Sequence, residues 1–292
     1  MQNLSSLEVN EICKQLGEYS PIKIQRVYGG NIHSTWQIEF VNSKFFLKKN
    51  QSKERYLKFE KNCLNNLKKY ISNENLIIPK VVSYIEVNNI ELLLMEWINM
   101  SNSCQENLGK GLGEMHIASN SENPGKFGYP IKGYIGTSEQ IKGWEGNWID
   151  CFINLRIEPQ LAKFNSNFIS KDVKNKLNKQ IKSVLNRHKP FNCLIHGDLW
   201  TGNVGTNEKN KGVIFDPACW WADNEMDIAM TKLFGSFKNE FYEEYHKVIP
   251  KKEMFEKRIT IYNFYHVLNH ANMFGGSYLH LVEDYIKKII LM

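Results

Sequence analysis

The chain has 292 residues, of which 42% are hydrophobic and 12% aromatic, enough for a folded core in one large domain or two lobes. No apolar run approaches the roughly 20 residues needed to cross a bilayer, and the first residues lack the pattern of a signal peptide, so we expect a cytoplasmic protein without membrane contact. The net charge of +6 comes from lysines interleaved with acidic residues, which is typical of a solvated surface and argues against a nucleic-acid partner.

The first third of the chain predicts a helix followed by a small antiparallel sheet with one further helix. Short apolar runs between turn residues indicate the strands. The predicted segments are a helix with Leu4, Leu7, Ile12 and Leu16 on one face, strands at Pro21 to Tyr28, His33 to Phe40 and Lys44 to Lys49, a helix at about Lys53 to Tyr70, and a hairpin of Lys80 to Val87 with Ile90 to Glu96. This order of elements is typical of a nucleotide-binding lobe.

Two glycines, Gly29 and Gly30, stand between the first two predicted strands. Because glycine has no Cβ, backbone N–H groups there can approach phosphate oxygens closely, which suits a phosphate-binding loop. An ordinary hairpin accounts for the pair equally well.

A lysine on the third strand and a glutamate on the following helix strengthen the nucleotide-binding interpretation. In protein kinases a lysine on this strand contacts the α- and β-phosphates and is held by a helix glutamate, and Lys48 and Glu60 fit those places. Side chains alternate along a strand, so only one of Lys48 and Lys49 points inward, and we assign Lys48. The alternative is a solvated lysine on an edge strand.

The last predicted strand leads into a connector and then into a mostly helical remainder. Met95 would lie beside an adenine ring, and the backbone groups of Glu96 and Ile98 can hydrogen-bond the base. We expect a nucleotide-binding lobe at 1–97 and a catalytic and acceptor-binding lobe at 98–292. The second lobe is predicted to include an exposed helix from Ile169 to Arg187 and a long helix from about Phe255 to Phe274.

A loop near the middle of the chain carries the residues that phosphoryl transfer requires. It runs from His196 to Asn203 and contains Asp198, and Asp216 follows Asn203 by thirteen positions at the end of an apolar strand. Asp198 can orient a hydroxyl and accept its proton, while Asn203 and Asp216 supply hard oxygen ligands to Mg²⁺. A polar surface hairpin with a capping aspartate is the alternative for the isolated pattern.

The elements in their order predict an α+β protein with a two-lobed, protein-kinase-like fold. The N-terminal lobe is a small antiparallel sheet and the C-terminal lobe is mostly helical. ATP and Mg²⁺ are the expected cofactors, because the lysine, glutamate, catalytic loop and second carboxylate occur in kinase order.

The second lobe is more specific and closely resembles the fructosamine kinase, or ketosamine-3-kinase, family. The matching segments are His196 to Asn203, Val213 to Ala218, Glu225 to Ala229 and Leu233 to Phe237, with further likeness at Phe127-Gly128, Arg156 to Gln160 and Tyr265 to His270. The front lobe matches through its glycine pair, Lys48, Glu60 and Met95-Glu96, so the resemblance covers nearly the whole chain.

The resemblance implies an ATP-dependent kinase of the fold shared with aminoglycoside and choline kinases. Its acceptor would be the 3-hydroxyl of a ketosamine, either a small glycated amine or a glycated protein lysine. The phosphorylated adduct decomposes and frees the amine, so the activity is deglycation. Carried over by position, Asp198 is the base, Asn203 and Asp216 bind Mg²⁺, and Lys48 with Glu60 positions the phosphates.

Several residues near these motifs have two possible roles. The Trp200 indole can stack on the acceptor or pack the loop, and His270 can line the acceptor site or be a hydrogen-bonded core histidine. We expect His196 to orient the loop structurally rather than act as a base. Glu225 and Asp227 open a helix, where carboxylates are favoured, so we expect them to cap it.

Some positions depart from the family pattern. Asn31 stands where some members carry a cysteine suspected of redox control, so we predict no such switch. Gln140-Ile141-Lys142 and Ala222 replace other residues in segments expected to border the acceptor pocket. These changes leave the phosphate chemistry intact and bear on which ketosamine fits.

Two rival functions remain open at this point. A kinase of the same fold acting on an aminoglycoside or choline is disfavoured by the Phe215 to Ala218 and Leu268 to His270 segments. A catalytically silent nucleotide-binding protein is disfavoured because the chain retains Lys48, Asp198 and the two metal-ligand candidates. The six cysteines show no paired short spacing, so we expect reduced, buried thiols.

Overall fold

The computed structural model describes residues 4–27, 32–101, 104–164 and 169–292. In the first third of the chain the helices and strands are α1 (Ser6–Leu16), β1 (Lys23–Val27), β2 (Ser34–Glu39), β3 (Lys44–Asn50), α2 (Tyr56–Leu67), β4 (Leu76–Ile77), β5 (Val81–Val87) and β6 (Ile90–Glu96). The predicted helices and the five longer strands are confirmed, with small shifts at their ends. The short strand β4 was not predicted.

Five strands form one antiparallel sheet in the order β1-β2-β3-β6-β5. Lys48 lies opposite Leu93 and Phe46 opposite Met95, so these four side chains share one face of the sheet. The other face, with Leu47 among its buried residues, packs against α1. The strand alternation therefore points Lys48 away from α1, onto the face that also carries Met95.

The neighbouring Lys49 is buried as well, on the α1 side of the sheet. Its Nζ lies 2.6 Å from Oε1 of Glu8, and both side chains are at most 5% exposed. Glu8 also completes a capping box with Ser5 at the start of α1. The solvated edge-strand lysine considered above is wrong for both lysines, because β3 is the central strand and each lysine has a carboxylate partner.

A buried carboxylate on β6 fixes the start of α2. Glu91 accepts hydrogen bonds from the backbone N–H groups of Leu57, at 3.2 Å, and Lys58, at 3.0 Å. Asn50 at the end of β3 donates to the same carboxylate at 2.6 Å. A negative charge at a helix N-terminus satisfies unpaired donors and complements the helix dipole. This contact sets the position of the helix that carries Glu60.

The remainder of the chain is mainly helical. Its elements are β7 (Met100–Ser101), α3 (Glu106–Asn120), β8 (Phe127–Tyr129), β9 (Gly133–Ile135), β10 (Ser138–Gln140), β11 (Gly143–Glu145), α4 (Trp148–Phe152), α5 (Glu158–Lys163), α6 (Lys171–Leu185), β12 (Asn192–Ile195), β13 (Val204–Asn207), β14 (Gly212–Ile214), β15 (Trp220–Asp223), α7 (Glu225–Thr231), α8 (Asn239–Val248), α9 (Phe255–Phe274) and α10 (Ser277–Ile290). The predicted helices at α6 and α9 are confirmed. Among the residues described, no helix has the length and apolar character needed to span a membrane.

Two short sheets flank the predicted catalytic loop. One has the order β11-β8-β15-β12, and the other has the order β4-β14-β13-β7. In the second sheet β4, from the first third of the chain, pairs in parallel with β14. The first third of the chain is therefore joined to the hairpin β13-β14, which precedes the predicted metal ligand Asp216, by a strand pairing as well as by the connector.

Glycines on α3 allow this helix to pack closely against α8. A Cβ added to Gly109 would lie 2.1 Å from the carbonyl oxygen of Phe241, and one added to Gly113 would lie 2.8 Å from Cβ of Val248. Such distances are far below van der Waals contact, so a side chain at either position would push the helices apart. Close packing here supports β12, which also contacts α3.

All six cysteines are free, and five of them are buried. Burial raises the pKa of the Cys151 thiol to about 12, and it also raises the pKa of the Cys63 and Cys193 thiols. The expectation of reduced, buried thiols is wrong for Cys104, which is exposed.

Candidate active site

The predicted catalytic loop connects β12 to β13 and is stabilised from within. The amide of Asn203 donates to the backbone carbonyl of Asp198 at 2.9 Å and to its carboxylate Oδ2 at 3.0 Å. Both nitrogen-bound protons of the Asn203 amide therefore face Asp198. Its side-chain oxygen is left as the atom with which Asn203 can bind a metal ion.

The hairpin β13-β14 returns the chain so that Asp216 comes back to this loop. The Phe215 N–H donates to the Asn203 carbonyl at 3.1 Å, and the Ala218 N–H donates to the His196 carbonyl at 2.8 Å. Asp216 itself has φ of 61°, a left-handed conformation that is uncommon for residues other than glycine. The backbone is held in this conformation by the contacts on both sides of it.

Lys48 joins the two parts of the predicted site. Its Nζ lies 2.7 Å from Oε1 of Glu60 and 2.8 Å from Oδ1 of Asp216. The lysine side chain is 7% exposed, whereas the Asp216 side chain is 46% exposed. The structure thus brings together three residues that lie 12 to 168 positions apart, and it leaves the Asp216 carboxylate open to the cleft.

The charges of this cluster shift its pKa values in opposite directions. Desolvation opposes ionisation of Asp216, but the Lys48 ammonium outweighs it and lowers the pKa of that carboxyl. Burial raises the pKa of Asp198 to about 8, with a further contribution from the negative charge of Asp216, and the Asn203 hydrogen bond acts against it. Two neighbouring carboxyls with pKa values pushed apart are typical of acid–base sites.

The Asp227 carboxylate binds the backbone of the predicted catalytic loop, a role that the sequence analysis did not predict. Its Oδ2 accepts from the His196 N–H at 2.7 Å and its Oδ1 accepts from the Gly197 N–H at 2.8 Å. His116 Nε2 lies 3.2 Å from the same Oδ2, and all of these groups are buried. The expectation that Asp227 caps its own helix is wrong, because its carboxylate serves the backbone of another segment.

The expectation of capping is also wrong for Glu225, whose carboxylate is paired with Arg258 at 2.6 and 2.8 Å. Glu225 lies near His188 and Asp223, and this set could in principle ligate a metal ion. The carboxylate of Asp223, however, already accepts from Tyr262, His188 and the Phe191 backbone. The atoms that would bind a metal ion already have hydrogen-bond or ion-pair partners within the protein, so this cluster does not fit a metal site.

His196 connects the two ends of the site without facing a substrate. Its Nε2 lies 3.0 Å from the Phe215 carbonyl, and its Nδ1 accepts from the Asp198 N–H at 3.3 Å. The side chain is fully buried, and burial lowers the pKa of the imidazole. These contacts support the interpretation that His196 orients the loop.

The structure leaves some of the predicted adenine contacts of the connector possible and blocks one of them. Met95 is buried opposite Phe46 on the face shared with Lys48. The Glu96 N–H donates to the Lys80 carbonyl at 3.0 Å, and the Glu96 carboxylate accepts from the Lys80 N–H at 2.7 Å. The Glu96 N–H is therefore not available to an adenine ring, and the Glu96 carbonyl is the backbone group that could still bind the ring. Ile98 is half-buried in the irregular segment that follows β6.

Trp200 lies in the predicted catalytic loop, and His270 lies near the end of α9. The Trp200 ring lies on Gly202, so closely that a Cβ added there would be 2.4 Å from the indole. His270 donates from Nδ1 to the His266 carbonyl at 2.8 Å and is half-buried, so both an acceptor-lining role and a hydrogen-bonded packing role stay open for it. The predicted phosphate-binding pair Gly29 and Gly30, together with Asn31, lies outside the described residues.

Comparison with known proteins agrees with this geometry. A sequence model of the fructosamine kinase family matches residues 5–292. A probable ketoamine kinase of Vibrio parahaemolyticus is 33% identical over 281 residues, which cover 94% of this chain and 95% of the relative. A chloroplastic protein-ribulosamine 3-kinase of Arabidopsis thaliana is 31% identical, covering 91% of this chain and 83% of the relative.

Solved structures confirm the predicted kinase-like fold. A fructosamine-3-kinase candidate from Haemophilus somnus superposes with a TM-score of 0.84 at 26% identity, over 96% of both chains. An aminoglycoside phosphotransferase in ternary complex with AMP-PNP and hygromycin B gives a TM-score of 0.63 at 12% identity, over 98% of both chains. The second likeness shows the shared fold alone.

Proposed function

The chain belongs to the fructosamine kinase family, and we propose that it uses ATP to phosphorylate the 3-hydroxyl of ketosamines. The observation that carries this proposal is the position of Lys48, which contacts both Glu60 and Asp216. A lysine so placed can neutralise nucleotide phosphates beside a metal-binding carboxylate. The retained cluster argues against a catalytically silent nucleotide-binding protein.

The residues divide between two lobes in this proposal. Residues 1–97 would bind the nucleotide, with Met95, Ile98 and the Glu96 carbonyl at the adenine, while residues 98–292 would supply catalysis and the acceptor site. Asp198 would orient the 3-hydroxyl and accept its proton as the carboxylate. A cation bound at Asp216 would favour that form, because it would offset the negative charge that helps to raise the Asp198 pKa. Because phosphoryl transfer depends chiefly on positioning and charge neutralisation, we expect the base to contribute less than the phosphate-binding groups.

The oxygen donors of the site fit Mg²⁺. Asn203 has an uncommitted side-chain oxygen, and the Asp216 carboxylate is half-exposed toward the cleft. Both are hard ligands of the kind that Mg²⁺ prefers, and bound Mg²⁺ would neutralise phosphate charge. These two residues would hold the ion, and Asp216 would exchange part of its contact with Lys48 for it.

The acceptor would lie between the catalytic loop and the end of α9. We place the sugar beside Trp200, whose ring packs on Gly202, and beside the half-buried His270. The names of the relatives indicate ketoamines and protein-bound ribulosamine as acceptors. The substrate would thus be a small ketosamine or a glycated lysine of a protein.

A parallel assay tests the activity. Purified protein with Mg-ATP is offered a ribulosamine, a fructosamine, choline and kanamycin, and ADP release is measured together with the position of phosphate on the product. We expect turnover of a ketosamine, a 3-phosphate product and later release of the free amine. Turnover of choline or kanamycin without any ketosamine would refute the assignment.

One substitution tests the role of the base. Asp198→Asn should abolish transfer while leaving ATP binding, measured by calorimetry, largely intact. Asp172→Asn is the matched control, because this carboxylate on α6 is 71% exposed and pairs with Lys176 at the surface. Full activity of Asp198→Asn would remove that residue from the mechanism.

A further inference from the structure

Four aromatic side chains form a cluster where α9 meets α10. Phe234 and His270 have ring centroids 4.4 Å apart, and Tyr278 lies 6.0 Å from Phe234 and 5.4 Å from His270. Phe274 lies 5.7 Å from His270 and 6.2 Å from Tyr278. Each ring therefore contacts at least two others, and the group is a single surface rather than scattered residues.

The cluster is partly open to solvent, chiefly through Phe274. Phe274 is 56% exposed, and Phe234, His270 and Tyr278 are half-buried. The backbone builds this arrangement, because Gly275, at φ of 61°, ends α9 and lets Tyr278 return toward it. Contiguous aromatic rings that stay partly exposed, one of them by more than half, often mark a surface where something binds.

The cluster is continuous with the proposed catalytic loop. Thr201 Oγ1, three positions after the proposed base Asp198, donates to the Phe234 carbonyl at 3.3 Å. The Phe234 ring packs in turn against His270 at an interplanar angle of 51°, and we place His270 beside the acceptor. The aromatic surface thus begins at the edge of the loop and leads outward past Phe274.

We propose that this cluster is a subsite for the amine half of the acceptor, binding a protonated secondary amine and the apolar substituent it carries. The inference rests on the proposed ketosamine kinase activity and adds a preference that the activity itself does not imply. Aromatic faces attract a nearby cation and also bury apolar groups. Adducts of amines with aromatic or long aliphatic substituents would thus be favoured over adducts of methylamine.

The state of His270 is compatible with a cationic ligand. Burial lowers the pKa of this imidazole, so it is neutral at physiological pH and does not repel an ammonium group. Its Nδ1 is committed to the His266 carbonyl, which fixes the ring against Phe234. The remaining rings have no charge, so the surface selects by shape, apolar contact and attraction of a cation.

A series of ketosamines that share one sugar and differ only in the amine tests the subsite. Methylamine, butylamine and benzylamine adducts are compared by kcat/KM, with the wild type and Phe274→Ala and Phe274→Leu variants. An aromatic contact of this kind is expected to raise kcat/KM of the benzyl adduct over the methyl adduct about three- to tenfold. Phe274→Ala should remove most of that ratio, and Phe274→Leu should retain part of it for the butyl adduct.

Leu279→Ala is the matched control, because Leu279 is a 41% exposed apolar side chain on α10 that is not part of the ring cluster. It should keep the wild-type ratio. Equal kcat/KM for all three adducts in the wild type, or a ratio unchanged by Phe274→Ala, would overturn the subsite while leaving the kinase activity in place. Absence of turnover for every ketosamine would overturn both proposals.

Discussion

Replacement of Asp227 by asparagine tests how the catalytic loop is held. The Asp227 carboxylate accepts two backbone N–H groups, from His196 and Gly197, and is fully buried beside His116. The asparagine side chain would keep one oxygen and place an NH₂ group against a donor. A hydrogen bond to a charged group contributes about 1.5–3 kcal/mol, and a buried unpaired donor adds a cost of about 1–3 kcal/mol.

We therefore expect Asp227→Asn to lower the free energy of unfolding by about 2–5 kcal/mol. Urea unfolding followed by tryptophan fluorescence measures this change. The proposed base Asp198 directly follows Gly197, so displacement of the loop should also lower kcat about tenfold or more at saturating substrates. The exposed control Asp172→Asn should change neither quantity appreciably.

The effect of Asp227→Asn on stability should depend on pH. Burial raises the pKa of Asp227, but its hydrogen bonds, foremost the one to His116, outweigh burial and leave that pKa below its ordinary value. A carboxyl whose pKa is lowered by folding stabilises the protein above its unfolded pKa of about 3.9, and this contribution is lost as pH falls toward the folded value. The stability gap between wild type and Asp227→Asn should therefore narrow below about pH 4. A gap independent of pH, or stability and kcat equal to wild type, would refute the reasoning.

Other substitutions test the remaining supports of the site. Lys48→Met should raise KM for ATP about tenfold or more without a matching rise in the acceptor KM, and steady-state kinetics with each substrate varied would show this. Gly109→Ala should lower the free energy of unfolding, measured by urea titration, by about 1–3 kcal/mol, because its Cβ would collide with the Phe241 carbonyl. The control Gly146→Ala should leave the free energy of unfolding unchanged, because a Cβ added there meets no atom within 4 Å beyond those of its chain neighbours. Glu91→Gln should cost about 1 kcal/mol or more in the same titration and raise KM for ATP, because it weakens the cap of α2.

The fold and the core of the site were accessible from sequence because their signals are local. The strands of the first lobe are set by apolar runs and turns, and the inward side chain of β3 by alternation. The spacing from Asp198 through Asn203 to Asp216 corresponds to one loop and one hairpin, so contact between their ends follows from chain connectivity. Lys48 could be assigned because only one lysine of the pair can face the cleft.

The supports of the site could not be predicted, because they depend on contacts between distant segments. Glu91 and Asp227 are carboxylates that serve backbone N–H groups, on α2 and on the catalytic loop respectively. In the sequence, one is a charged residue beside a turn and the other stands in the first turn of a helix, where capping is the ordinary explanation. Lys49 likewise has the sequence context of a surface lysine, because its partner Glu8 lies on α1, 41 positions earlier in the chain.

Two buried thiols, Cys63 and Cys219, form a further contact between the lobes. Cys63 lies almost one turn after Glu60 on α2, and its Sγ accepts from the Cys219 N–H at 3.3 Å. Cys219 lies three positions after Asp216 and donates from its thiol to the Tyr129 hydroxyl at 3.4 Å. The contact ties the helix that positions Lys48 to the segment that carries the metal-ligand candidate.

Removal of the acceptor sulfur should therefore loosen the nucleotide site as well as the core. Cys63→Ala leaves the buried Cys219 N–H unpaired, and we expect a lower free energy of unfolding together with a higher KM for ATP and a higher Mg²⁺ requirement. Cys63→Ser retains an acceptor and should restore both kinetic values toward wild type. Cys151→Ala, at an equally buried thiol on α4, should cost stability without changing them, because its side chain lies outside this link. If Cys63→Ala and Cys151→Ala lose stability alike and neither changes KM for ATP, the thiol contact is core packing and does not position the site.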